Sequence, residues 1–192
     1  MVTEIRIYFE GDSALKPGFH KFLGEIREAW GSRQCRFRLI DANGTPVEDY
    51  RDGMKANPDA WNILLLDSED AITEPLADLC TRKGLAGFSD SVFWMVQTME
   101  SWFLADQEAL RKYYGDGFQE NALKGNPRVE QIPKTDVQSR LKAATKGTQK
   151  GEYHKTGHAP HLLAKIDPEL VKSAAPNCKR LFDTLLAKLA EA

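Results

Sequence analysis

Apolar and polar positions alternate from the start of the chain. Residues 4–10, Glu-Ile-Arg-Ile-Tyr-Phe-Glu, predict a β-strand, and Gly11-Asp12-Ser13 ends it. Phe19, Phe22, Leu23, Ile26 and Trp30 then recur at helical spacing, which predicts an amphipathic helix over 17–30 closed by Gly31-Ser32. A second strand is expected over 36–40, a turn at Asn43-Gly44, and a helix over 46–57 with Pro46 in its first turn and Asn57-Pro58 as its stop. The near-continuous apolar run 61–66, Trp-Asn-Ile-Leu-Leu-Leu, reads as a strand buried on both faces. Strand, helix, strand, helix, strand implies right-handed crossovers and a largely parallel sheet flanked by helices, an α/β fold.

Further along, a helix is expected over 70–82, a fourth strand over 91–95, and a strong helix over 96–113 with Val96, Met99, Phe103 and Leu110 on one face. The character then changes. Residues 115–133, rich in Gly, Asn and Pro, read as an irregular connection, and 134–146 as a helix. Residues 147–160 read as a Gly/Lys/His loop, and 161–166 and 177–190 as helices, the last with Leu181, Leu185 and Leu189 every fourth residue. Residues 1–114 are thus expected to form the α/β core, and 115–192 a loop-rich, helical part packed on it.

Composition narrows the class. In 192 residues, 42% hydrophobic with nine Phe, five Tyr and four Trp, there is enough material for a core that needs no disulfide or structural metal. No apolar run approaches the ~20 residues that span a bilayer. Met1-Val2-Thr3-Glu4 does not open a secretory signal, so a cytoplasmic protein is expected. Cys35, Cys80 and Cys178 lie far apart without CxxC spacing and are expected to be reduced thiols. Net charge is −2, but it is unevenly spread: residues 41–78 hold ten acidic and two basic side chains, while 140–165 hold six basic and one acidic. An acidic centre with a basic arm suits a metal site acting on a phosphate-bearing substrate, and equally two solvated faces of opposite sign.

Glu10 ends the first strand, and Asp67 and Glu69 follow the third. Ligand crevices of open α/β sheets lie outside the carboxyl ends of the strands. If strands one and three are neighbours, their ends lie ~5 Å apart and the three carboxylates can share one ion. Hard oxygen donors without Cys or His select Mg²⁺ or Mn²⁺. Such carboxylates are also ordinary at strand ends; it is the trio after two strands that points to metal. Glu100, with Gln97 three residues before it, is placed to reach the site as a further ligand or base, while Asp106 falls nearer the apolar stripe. Trp94 and Trp102 read as core. The segment 146–158 mixes cations, glycines and hydroxyls, so Lys150, Lys155 and His158 are the expected phosphate contacts and Tyr153 a stacking surface. A zinc site of His154, His158 and His161 lacks an evident further ligand. There is no Walker A sequence, GxSxG or Rossmann fingerprint.

A Glu after the first strand and an acidic pair after the third resemble the signature of the Toprim fold of topoisomerases, primases and OLD-type nucleases. The second motif here is Asp67-Ser68-Glu69 rather than Asp-x-Asp, with Asp70 beside it, so the second ligand is open between Glu69 and Asp70. Phe9-Glu10-Gly11, Leu15-Lys16-Pro17-Gly18-Phe19, Leu66-Asp67-Ser68-Glu69, the stretch from Met95 to Asp106, Ile132-Pro133-Lys134 and Lys150-Gly151-Glu152-Tyr153-His154-Lys155 together resemble a bacterial family of unknown function, domain of unknown function 4276. That resemblance implies a Toprim-like Mg²⁺-dependent nuclease acting on DNA or RNA, with catalytic Glu10, Asp67, Glu69 and Glu100. It also implies an ABC- or AAA-type ATPase as partner in anti-phage defence. The helical segment 161–190 is the candidate docking surface, with this chain's own sheet as the other place for most of its spaced leucines. A non-catalytic partner subunit of an ATPase and a small-molecule phosphohydrolase are the alternatives.

Overall fold

The computed structural model describes residues 2–125 and 127–190; Met1, Asn126, Glu191 and Ala192, which fall within the segments read above, lie outside it. Four strands, β1 (Glu4–Glu10), β2 (Arg36–Ala42), β3 (Trp61–Asp67) and β4 (Val92–Met95), form one all-parallel sheet in the order β2-β1-β3-β4. The pleat divides their side chains between two cores. Ile5, Ile7, Phe9, Ile63, Leu65, Phe93 and Met95 enter one, with Phe19 and Phe22 of α1 (Lys16–Phe22) and Ile26 and Trp30 of α2 (Gly24–Ser32). Tyr8, Leu64, Leu66, Val92 and Trp94 enter the other, with Tyr50 of α3 (Pro46–Ala56) and Leu79 and Cys80 of α4 (Leu76–Arg82). Burial on both faces is why β3 reads as an unbroken apolar run. Because β2 and β3 lie on opposite sides of β1, the crossovers leaving β1 and β3 run over opposite faces, and a crevice opens where those two strands end.

The other helices are α5 (Gln107–Tyr114), α6 (Lys134–Thr145), α7 (Lys155–Leu163), α8 (Pro168–Ala174) and α9 (Pro176–Ala190). Val137, Leu141, Leu162, Val171, Leu181, Phe182 and Leu185 from this half share the core of α1 and α2. Leu181 and Leu185 are fully buried and Leu189 packs on the same core, so these leucines are not a free docking face. The three cysteines are free and buried. Among the described residues, no helix is long and apolar enough to cross a membrane.

Several expected boundaries shift. The helix over 17–30 breaks at Leu23, before the poor helix former Gly24, while its apolar stripe runs on across the break. The helix expected over 70–82 begins only at Leu76, because Pro75 disfavours helical backbone at Glu74. The helix expected over 96–113 is absent as such. Val96 and Gln97 form a bend, Thr98 is extended, Met99–Ala105 forms a 3₁₀-helix whose first six residues are all buried, and Asp106 caps α5 by accepting from Ala109 N (2.9 Å). Asp106 also accepts from Asp167 N (2.9 Å), so this buried carboxylate is a structural tie. The 147–160 loop ends early: α7 starts at Lys155. Only the first half of the 161–166 segment, up to Leu163, belongs to α7, and α8, opened by Asp167-Pro168, is a helix the spacing does not predict.

Arg180 of α9 covers the β4 edge of the sheet. It donates to Ser89 O (2.7 Å) and Val92 O (3.0 Å) and lies over the Phe93 ring (4.6 Å). Arg180→Met keeps part of the stem but leaves both carbonyls without this partner. The expected cost is about 2–3 kcal/mol, read as a lower urea midpoint with unchanged slope. An unchanged midpoint would assign no stabilising role to this contact.

Candidate metal centre

β1 and β3 pair up to Phe9 and Leu65, so Glu10 and Asp67 leave the sheet at the same end. Gly11 (φ 136°) turns the chain away at once, and a Cβ there would stand 2.6 Å from Leu15 Cδ1. Any side chain at this position would be strained and crowded, which keeps Glu10 at the rim. The β3–β4 ladder continues past the strands through Ser68 N to Met95 O (3.1 Å) and Glu69 N to Gln97 O (3.1 Å). Glu69 (φ 70°) and Gln97 (φ 62°) both take the left-handed conformation, which non-glycine residues adopt only when surroundings impose it. The Gln97 amide supplies that constraint by donating to Glu130 O (3.1 Å) and accepting from Lys134 N (3.0 Å). Gln97 therefore has a structural role and does not join the centre.

Asp67 is 7% exposed. Its Oδ1 accepts from Met99 N (2.8 Å) and its Oδ2 lies 3.3 Å from Thr98 Oγ1. Thr98 Oγ1 lies 2.5 Å from Oε2 of Glu100, which is fully buried. A hydroxyl has one proton and cannot donate to both carboxylates. Burial pushes the Asp67 carboxyl up to about 7; Lys155 opposes this, and Glu100 and Glu10 reinforce it. Glu100 Oε1 accepts from Tyr153 OH (3.2 Å), and burial together with Glu100 raises the Tyr153 phenol, keeping it a donor. Lys155 Nζ stands 3.5 Å from Glu100 Oε1 and 4.0 Å from Asp67 Oδ2. On the exposed flank, Glu69 Oε2 accepts from Lys134 Nζ at 2.6 Å; burial works against the Lys134 charge, but Glu69 outweighs it and raises the ammonium.

Glu10, Asp67 and Glu69 each offer an oxygen within 4.8 Å of the others, and among the described residues they are the one such group. Asp70, the other candidate, is not part of that group; its backbone carbonyl accepts from Ser68 Oγ (2.5 Å). The donor set fits a hard divalent cation: oxygens only, one of them on a carboxyl that the apo environment pushes toward neutrality. A cavity of about 380 Å³, lined by Glu10, Gly11, Asp12, Asn43, Asp67 and Lys155, opens over the group. Lys155 also borders a second cavity of about 340 Å³ that reaches Glu100, Lys142 and His154. A larger one, about 480 Å³ between α5 and α8, holds no such cluster.

The profile of the family described as Domain of unknown function (DUF4276) matches residues 14–186. The chain belongs to the DUF4276 family. The matched span contains Asp67, Glu69, Glu100, Lys134 and Lys155, and begins just after Glu10. No curated protein and no solved structure matches this DUF4276 chain.

The fold of this DUF4276 member brings together Glu10, Asp67, Glu69, Glu100 and Lys155. It does not bring in Lys150, which lies over the Tyr113 ring (5.1 Å). Nor does it bring in His158, whose Nδ1 accepts from His154 N (3.2 Å) and meets Tyr114 OH (2.9 Å). Burial and the neighbouring His154, His161 and Lys150 lower the His158 pKa, so it reads as a neutral helix-start contact. His154, His158 and His161 do not form a ligand group among the described residues. Tyr153 is 5% exposed and is not a stacking surface for a base. Thr98 and the positioning roles of Lys134 and Tyr153 escaped the sequence reading. Lys134 stood out there only within the Ile132-Pro133-Lys134 motif, and no spacing rule marks the other two.

Proposed function

We propose that the chain is a Toprim-like, Mg²⁺- or Mn²⁺-dependent nuclease that hydrolyses phosphodiester bonds. The observation that carries this reading is the convergence of Glu10 and Asp67 from adjacent parallel strands with Glu69, backed by buried Glu100 and by Lys155, which borders both the cavity at Glu10 and Asp67 and the one at Glu100. Glu10, Asp67 and Glu69 would hold the ion, which when bound supplies Lewis acidity toward a phosphoryl oxygen and an acidified water. Asp67 is held in orientation by Met99 N and Thr98, so its ligand oxygens need little reorganisation. Glu100, fixed by Thr98 and Tyr153 and bordering the second cavity, serves as the proton acceptor. Lys155 reaches from the first turn of α7 to meet a phosphate oxygen. The family resemblance adds an ATPase partner and a defence role to this reading; with Leu181 and Leu185 buried, a partner would have to use another surface.

The test is a cleavage assay of the purified chain, alone and with the ATPase encoded beside it. Substrates are single- and double-stranded DNA, RNA and free nucleotides, with Mn²⁺, Mg²⁺ or EDTA. Cleavage of a polynucleotide that EDTA and Glu100→Gln each abolish is expected. A divalent-ion response without cleavage of any substrate would favour the non-catalytic partner, and hydrolysis of nucleotides alone would favour the phosphohydrolase.

A further inference from the structure

The two lysines at the centre are held in opposite ways. Lys134 Nζ makes one tight bond to Glu69 Oε2 (2.6 Å), and its side chain is 28% exposed. Lys155 Nζ stands between two carboxylates at 3.5 and 4.0 Å, beyond the ~2.7–2.9 Å of a charge-assisted hydrogen bond, on a side chain 52% exposed. Lys155 therefore neutralises Asp67 and Glu100 without being locked to either. It also borders both cavities, so its four-carbon stem has open space on two sides.

We infer that Lys155 is a resident counter-ion of the carboxylate centre, displaced toward the cavity when a divalent cation takes Asp67, whereas Lys134 is a positioning residue that orients Glu69 for the same cation. This deepens the metal-dependent reading and rests on it. A monovalent ammonium near Asp67 Oδ2 opposes a second cation there by repulsion. Lys134 does the reverse. It engages one Glu69 oxygen, leaves the other for a ligand bond, and holds the carboxylate of a residue whose backbone is already in the left-handed region. The ammonium released from Asp67 is then the nearest mobile cation for a substrate phosphate, so one lysine lowers resting affinity for the ion and serves the loaded centre.

Isothermal titration with Mn²⁺ alone at pH 7.5 separates the roles by sign. Lys155→Met, which keeps the stem, is expected to tighten Mn²⁺ binding about fivefold or more, and Lys155→Arg to stay near the wild type. Lys134→Met is expected to weaken binding about tenfold, with recovery in Lys134→Arg. Circular dichroism melting checks that each variant is folded, and weaker polynucleotide binding by Lys155→Met in the presence of Mn²⁺ reads the phosphate contact. If the wild type binds Mn²⁺ and Lys155→Met binds it equally or less tightly, the counter-ion role falls while the metal reading stands. If Lys134→Met leaves affinity unchanged, the positioning role falls. No binding by the wild type overturns both, together with the reading beneath them.

Discussion

Asp67→Asn abolishes the rise in melting temperature that Mn²⁺ gives the wild type, and in the same protein raises the melting temperature measured in EDTA. The two effects have one origin. Asp67 lies at the end of β3 with almost no contact with water, facing Glu10 and Glu100. Its carboxyl is pushed from 3.8 up to about 7, so the ionised form at pH 8 is costly in the folded state. The ceiling on that cost is about 4 kcal/mol. Asparagine removes the charge while its oxygen can still accept from Met99 N, the 2.8 Å bond that positions the side chain. Each kcal/mol regained is read as about 2–4 °C. With the charge gone the ion loses its central ligand, and mass-action stabilisation disappears. Asp67→Ala is expected to lose the ion response too but to melt lower than Asp67→Asn, because it leaves the Met99 N–H without its acceptor. An undiminished Mn²⁺ response in Asp67→Asn would remove Asp67 from the centre. A lower melting temperature in EDTA would show that ionised Asp67 stabilises the ion-free fold.

The second large effect is a pH dependence of the ion-free protein that saturating ion removes. A carboxyl raised above its unfolded value contributes stability that is full below about 4 and is lost as pH rises through about 7. The ion-free protein therefore loses this contribution between pH 4 and 8. Mn²⁺ needs the carboxylate, so protons compete with it below pH 7, and affinity should fall by up to about tenfold per pH unit there. Saturating Mn²⁺ removes the loss at high pH because the charge is then paired. The measurement is the melting temperature from pH 5 to 8.5 in EDTA and in Mn²⁺, taken as the difference between wild type and Asp67→Asn so that other titrating groups cancel. Mn²⁺ affinity constant between pH 5.5 and 7.5 would mean that no proton leaves Asp67 on binding.

Legibility in the sequence followed the range of the physics. Asp67 and Glu69 were visible because a short apolar run with abrupt acidic punctuation marks a buried strand end, and Glu10 because glycine follows it directly. The stretch 96–106 misled because Met99, Trp102 and Phe103 satisfy helical spacing while also fitting the tighter 3₁₀ repeat, and because its polar residues Gln97, Thr98, Glu100 and Ser101 are buried with the apolar ones, so polar spacing does not mark a solvent face there. Asp106 is the signal that was available there: a cap residue inside a supposed helix. For α8, Asp167-Pro168 was a second such signal.

What the sequence alone determined is the local part: alternating strands and helices with a period that demands a parallel sheet, acidic residues placed where two strands end, and a reserve of lysines late in the chain. Those follow from side-chain spacing and backbone chemistry, which act over a few residues. Strand order was decided only in three dimensions, and it turned Glu10 and Asp67 into neighbours across the crevice between β1 and β3. So was the choice among lysines. Lys150 and Lys155 are alike in sequence, but α7 begins at Lys155 and carries it to Asp67 and Glu100, while Lys150 stays over Tyr113. The raised Asp67 carboxyl is likewise a tertiary property, because burial and the approach of distant charges depend on long-range packing that no local pattern encodes.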